Sequence, residues 1–246
     1  MHTAPARYTL AVLSLAGLTA FPLTALAAFS PEDAATIQAA LAGKAVVEGA
    51  LVPRGFAKVA QAKGDLNGDG TDDLALIVRR AAKKQQEKAP SEDSDGVPQA
   101  VLIFTGDKSG KYTLWKLGAS HFMDSTENLM EEGGVGIFQI KKGVLTVASD
   151  VSMSMGGWSA GGCTLKWRNG PAGFQLIGLT VSDIDRKCAC GTTNDTDYLT
   201  GRTISTSDRD EAGDQPPKQK VKRTKAKPRT ILWESFDFDK MCSSSS

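Results

Sequence analysis

The stretch Asp65-Leu66-Asn67-Gly68-Asp69-Gly70-Thr71-Asp72-Asp73-Leu74-Ala75-Leu76-Ile77-Val78 decides how this chain is read. Its first nine residues put oxygen-bearing side chains at the first, third, fifth and ninth loop positions, with glycine at the sixth. Alternate side chains of such a loop turn inward around one hard cation, and Ca²⁺ takes oxygen ligands in flexible geometry. The spacing predicts Asp65, Asn67, Asp69 and Asp73 as side-chain ligands and the Thr71 carbonyl as the backbone ligand, with water completing the shell. The twelfth position, where an EF-hand carries a bidentate Glu, is Leu76. It lies inside an apolar run that reads as a strand, so the loop leads into a sheet rather than a helix. Without the twelfth-position carboxylate the expected affinity falls to roughly 10⁻⁴–10⁻³ M. Asn, Asp and Gly also favour tight turns with no ion present, which is the competing reading of the same residues.

Outward from this loop, turn signals separate short apolar runs. Phe56 to Ala62 leads into the loop and Leu74 to Val78 leads out. Ala100 to Thr105 and Tyr112 to Leu117 flank a Gly106-Asp107-Lys108-Ser109-Gly110 turn. Gly136 to Ile140 and Val144 to Val151 flank Lys141-Lys142-Gly143, and Cys163 to Arg168 and Phe174 to Val181 flank Asn169 to Gly173. These are hairpin patterns. Tyr198 to Ser205 and Thr230 to Phe238 are expected to pair as a last hairpin. Ahead of the strands, Ser30-Pro31-Glu32-Asp33 starts a helix with a hydroxyl cap, proline at the first position and acids at the positive end of the dipole. That helix is expected to run to about Gly43, with Ile37 and Leu41 on one face.

The N-terminus joins Arg7 to an apolar stretch ending near Leu23 and then Ala25-Leu26-Ala27, the order of a secretory signal peptide with cleavage after Ala27. Removing it takes away one basic residue, Arg7, and the formal charge of +1 becomes 0, so no global steering of anions is expected. Export makes Cys163, Cys188, Cys190 and Cys242 disulfide candidates, with three possible pairings. Cys188 and Cys190 are too close in sequence for an unstrained bridge, which favours distant partners. Cys163 is then expected to staple the Cys188-Ala189-Cys190 loop to a strand, and Cys242 to pin the C-terminus.

The fold class expected is mainly β, an antiparallel meander with a short N-terminal helix. Its segments are a signal peptide over 1–27, a β-rich calcium-loop domain over 28–205, a polar basic linker over 206–229 and a C-terminal strand and tail over 230–246. Residues Gly64 to Leu74 resemble the repeat of FG-GAP and VCBS-type proteins, in which such a loop sits between two strands of a propeller blade. The order of the loop, Val101 to Gly106, Gly143 to Val147, Trp167 to Gly170, Phe174 to Gly178 and Tyr198 to Gly201 is similar to a family of exported bacterial VCBS-repeat-like proteins. The resemblance implies a blade-like sheet, an envelope location, periplasmic or secreted, and calcium ligation at Asp65, Asn67, Asp69, Thr71 and Asp73. It implies no catalytic residue.

Other chemistry is thinly represented. After signal removal one histidine, His121, remains, and no Gly-x-Ser-x-Gly elbow accompanies it, which argues against serine or cysteine hydrolysis. A hydrolase using paired carboxylates would draw on Glu131, Glu132 or Asp183. His121, Met123, Met130, Met153, Met155 and the Cys188-Ala189-Cys190 pair form a weak soft-metal set suited to copper(I), a reading that two disulfides would remove. Lys218, Lys220, Lys222, Arg223, Lys225, Lys227 and Arg229 form a basic run expected to be a mobile connection or an arm for a polyanion. The run lacks interleaved aromatics, so nucleic acid is not expected. Trp158, in a glycine-rich loop, is an interaction candidate along with Lys220, Lys222 and Arg223. The functional expectation is a non-enzymatic binding module with one structural Ca²⁺ and an envelope protein or polyanion as partner. The rivals are the carboxylate hydrolase and an inhibitor or immunity protein of a toxin or cell-wall hydrolase.

Overall fold

The computed structural model describes residues 30–81, 99–120, 137–152, 159–185, 190–209, 218–236 and 241–242. The signal segment, His121, Trp158 and Cys188 lie outside the described residues. So do the glutamates at 131 and 132 and the methionines of the soft-metal set.

The described residues include a helix near the N-terminus and two antiparallel sheets. Helix α1 spans Pro31–Leu41, and the Ser30 hydroxyl caps it by accepting the Asp33 amide at 3.0 Å. The first sheet contains β1 (Ala45–Val47), β2 (Phe56–Gly64), β3 (Asp73–Arg80), β4 (Gln99–Gly106) and β5 (Lys111–Ser120), in the order β1-β5-β4-β3-β2. The second is an unbroken meander of β6 (Ile137–Lys141), β7 (Val144–Ser152), β8 (Ser159–Gly170), β9 (Gly173–Asp185), β10 (Cys190–Asp197), β11 (Arg202–Arg209) and β12 (Lys218–Lys225). The expected class, mainly β and antiparallel with a short N-terminal helix, is what the chain adopts.

Two hydrophobic layers follow from the sequence period. β3 and β4 are apolar almost without alternation because both of their faces are covered. Leu74, Leu76, Val78, Ala100, Leu102 and Phe104 face α1, meeting Ala34, Ile37 and Leu41. The intervening residues Ala75, Ile77, Val101 and Ile103 face the second sheet, where they join Leu145, Val147, Leu165 and Trp167. An Arg80 to Asp33 ion pair ties β3 to the helix, and the same guanidinium lies 5.3 Å from the centre of the Phe56 ring.

The chain after β12 differs from the sequence expectation. Of the stretch Thr230 to Phe238, expected as a hairpin strand, the described part 230–236 does not form one. It is an irregular strap with a short 3₁₀ turn over Trp233–Ser235, and its Leu232 makes a single bridge to Gln175 of β9. Its aromatics decide this, because Trp233 and Phe236 insert edge-on against Trp167 at centroid distances of 4.9 and 4.8 Å. The Trp233 indole donates to the Leu117 carbonyl at 3.1 Å, and a Lys116 to Glu234 ion pair flanks it. A Cβ at Gly118 would sit 2.6 Å from the Trp233 ring, so glycine makes room for the indole.

The strap carries Cys242 to β8, where it bonds Cys163 with the Cα atoms 5.6 Å apart. The expected staple from Cys163 to the Cys188-Ala189-Cys190 loop is therefore corrected: Cys163 is used by the C-terminus. Cys190 is also disulfide-bonded, and no described cysteine is free. The stretch read as a mobile basic connection is corrected as well. β11 continues through Arg209, and Lys218–Lys225 forms β12, registered on it from Arg202↔Lys225 to Arg209↔Lys218. The turn that joins β10 to β11 spans residues 198–201, so Tyr198 begins a turn rather than opening a strand.

Candidate functional site

The β2–β3 connection at Asp65–Asp72 sits where the two sheets meet. β2 and β6 are the edge strands of their sheets and run against each other. A Cβ at Gly64 would lie 2.8 Å from Ile140 of β6, and Leu66 buries its side chain in the layer between the sheets. The loop is thus anchored at its root and exposed at its tip.

Side-chain oxygens organise that tip. Asp65 accepts the Gly68 amide at 2.6 Å and the Gly70 amide at 2.9 Å, one on each carboxylate oxygen. Asn67 accepts the Asp69 amide at 2.9 Å, and Asp69 accepts the Thr71 amide at 2.7 Å. These are the Asx turns that Asn and Asp make with backbone two or more residues on. Gly68 and Gly70 take φ of 82° and 80°, a left-handed conformation that side-chain-bearing residues adopt only with strain. The Thr71 amide and the Asn67 side chain hold the Asp69 carboxyl below the usual carboxylate range.

Asp73 has a different position. It is 0 % exposed, at the start of β3 and beneath the loop. Its Oδ2 accepts the amides of Leu66 at 2.8 Å and Asn67 at 3.1 Å, while its Oδ1 accepts the Gly106 amide at 3.0 Å. One carboxylate therefore brackets the loop to the end of β4. Burial pushes this carboxyl above the ordinary carboxylate range, and the amides of Gly106, Leu66 and Asn67 pull against that shift. A Cβ at Gly106 would run into the Asp72 carbonyl, so the bracket also requires glycine there. A ninth-position acid in the sequence does not by itself distinguish a metal ligand from a backbone bracket.

For a hard cation the donor chemistry of Asp65, Asn67 and Asp69 is suitable, since all three offer oxygen at the loop tip and each carboxylate has lone pairs beyond those the amides use. Among the described residues no group of three or more His, Cys, Asp or Glu side chains is gathered as a metal cluster. The Asn67 side-chain amine donates to Asp69 at 3.0 Å, and that bond must yield if Asp69 is to turn toward an ion.

The basic candidates lie at the far edge of the second sheet. Lys220, Lys222, Arg223 and Lys225 are exposed on β12, and none belongs to the ion pairs observed among the described residues. Sequence reading found these residues but not their strand. The Asp65–Asp72 loop of the first sheet and the basic strand lie far apart, since β6, which runs beside β2, and β12 are the two end strands of the second sheet. Asp183 lies on β9, three strands in from β12. No described helix is long and apolar enough to cross a membrane. No family model, no curated protein and no solved structure matches the chain.

Proposed function

We propose that this chain is an exported, non-enzymatic binding module whose sheet junction is stiffened by one Ca²⁺ at the Asp65–Asp73 loop. The observation that carries the reading is the placement of this oxygen-rich loop. Its tip is exposed while Leu66 and the Asp73 bracket fix its root in the layer between the sheets. An ion held by Asp65, Asn67, Asp69 and the Thr71 carbonyl would relieve repulsion between carboxylates and couple directly to the packing of β2, β3 and β6. In this account Asp73 serves by orienting the loop backbone and lending its charge from below. Export to the periplasm or beyond fits the signal-like N-terminus, and the Cys163 to Cys242 bond fits an oxidising compartment.

The ion's role would be structural. Saturation at about ten times Kd adds roughly 1.4 kcal/mol of folding stability. Thermal unfolding of the mature chain in millimolar Ca²⁺ and in chelator measures this directly. Calcium is expected to raise the melting temperature, and Asp69→Ala to abolish the rise while leaving the chelated protein folded. Identical melting curves with and without the ion, together with no calorimetric heat of binding, would remove the metal from the proposal.

A further inference from the structure

The second sheet continues one face of the inter-sheet core out to an open edge. Register fixes three rows across β8 to β12. Cys163, Val181, Asn194, Ser205 and Lys222 stand side by side in one. Leu165, Leu179, Thr196, Thr203 and Thr224 form the second, and Gly161, Asp183, Thr192, Ser207 and Lys220 the third. The first two rows begin at the core, at Cys163 and Leu165, and all three run out through hydroxyl or amide side chains to β12. Thr192, Asn194, Lys220 and Lys222 are exposed, and Ser205 and Ser207 are partly so.

The two faces of β10–β12 differ in charge. On the outer face Asp195 and Ile204 stand in register with Arg223, Asp197 and Arg202 with Lys225, and Asp208 with Gln219. Acids and bases are interspersed there. On the core-side face the register places Asp183 and Asp185, both on β9 and three strands from β12. Lys220 and Lys222 therefore form a row of like charge, spaced by about 6.8 Å as alternate residues of an antiparallel strand are, beside a floor of hydroxyls.

We infer that this core-side face of β10–β12 binds a linear acidic glycan, with Lys220 and Lys222 holding its anionic groups and Thr192, Asn194, Ser205 and Ser207 bonding its sugar hydroxyls. The inference rests on the binding-module reading and names its ligand class. Charge complementarity chooses an anion, and the hydroxyl floor chooses a sugar polymer over a bare polyanion. The described side chains of this floor include no aromatic to stack a base, which disfavours single-stranded nucleic acid. The floor also has no apolar wedge for a lipid surface, because exposed Val221 and Ile184 point to the other face. An acidic peptide added as a strand along β12 would bond its open main-chain edge and feel both faces alike.

The test uses the mature chain, polyglucuronate as probe, neutral dextran as control and anionic phosphatidylglycerol vesicles as the rival surface. The paired variants Lys220→Gln/Lys222→Gln and Arg223→Gln/Lys225→Gln remove equal charge from opposite faces, and their melting curves establish that both fold. Polyglucuronate is expected to bind above dextran and above the vesicles, with affinity falling as salt screens the lysines. The first pair should weaken binding by roughly tenfold or more and the second by under about threefold, since only the first faces the ligand. Asn194→Ala/Ser205→Ala should weaken it further without changing the salt dependence. Equal losses from the two charge pairs, vesicle binding in place of glycan binding, or no excess over dextran would each overturn the inference. Chelator separates this result from the calcium proposal, because the loop lies at the β6 edge. Unchanged melting in chelator defeats the metal reading, whereas glycan affinity reports on β12 alone.

Discussion

The two halves of the second sheet are paired by the same antiparallel ladder yet are built for different surroundings. In β7 and β8 the alternate residues Leu145 and Val147, and Cys163, Leu165 and Trp167, are apolar and buried. In β10–β12 the same positions hold Thr192, Asn194, Ser205, Ser207, Lys220 and Lys222. Main-chain pairing alone does not determine which part of a sheet becomes core. The side-chain alternation does, and its change from apolar to hydroxyl marks where the sandwich ends and an open surface begins. Lysines along β12 also suit an edge strand, because they oppose pairing with another copy of itself.

This contrast can be broken first at Trp167, the largest fully buried side chain, which stacks 5.9 Å from Phe174 and meets Trp233 and Phe236. Trp167→Ala is expected to cost about 3–5 kcal/mol in denaturant unfolding, the range for emptying an aromatic site. The cost will be reduced to the extent that its buried indole N–H, which has no hydrogen-bond partner among the described residues, is removed with it. A loss under 1 kcal/mol would show that the closed half of the sheet is not a packed core.

Next comes the Cys163 to Cys242 link. Changing both to Ala should lower stability by about 2–4 kcal/mol and leave the seven-stranded ladder intact, as judged by far-ultraviolet circular dichroism. Asp73→Ala tests the bracket at the opposite edge. It leaves the amides of Leu66, Asn67 and Gly106 without their acceptor, and about 1–3 kcal/mol is expected to be lost whether or not calcium is present. A loss seen only with calcium would make Asp73 a ligand before anything else. At the open end, Thr206→Ala or Lys222→Gln should stay within about 0.5 kcal/mol, as for surface changes elsewhere.

The same contrast explains what was legible in the sequence. β3 and β4 stand out as apolar runs because both faces are covered, and β7 and β9 because apolar residues recur near a period of two. β10, Cys190-Gly191-Thr192-Thr193-Asn194-Asp195-Thr196-Asp197, has no apolar period because both of its faces are largely solvated. Its threonines, favourable on a pleated surface, are the signal that was there to be used. β12 was hidden by the same absence, and its lysines read as a solvated tail. Ile231, Leu232, Trp233 and Phe236 misled in the other direction. Ile231, Trp233 and Phe236 are apolar because the strap closes the core, although its described backbone makes a single bridge to the sheet. The loop at Asp65–Asp73 was conspicuous in composition, but Asp73 binds the Gly106 amide at the end of β4 as well as the loop's own Leu66 and Asn67 amides, and that distant partner could not be inferred from local spacing.

The bond between Cys163 and Cys242 has a mechanical consequence. It closes a covalent ring containing β9 to β12 and the strap, its two ends separated by 79 positions in sequence. Tension applied at the C-terminus enters this ring at Cys242 and passes across the sulfur bridge to the centre of β8, leaving β9–β12 slack. A tether pulling on the tail would load β8, an inner strand of the sheet, while the hydroxyl-faced edge kept its shape.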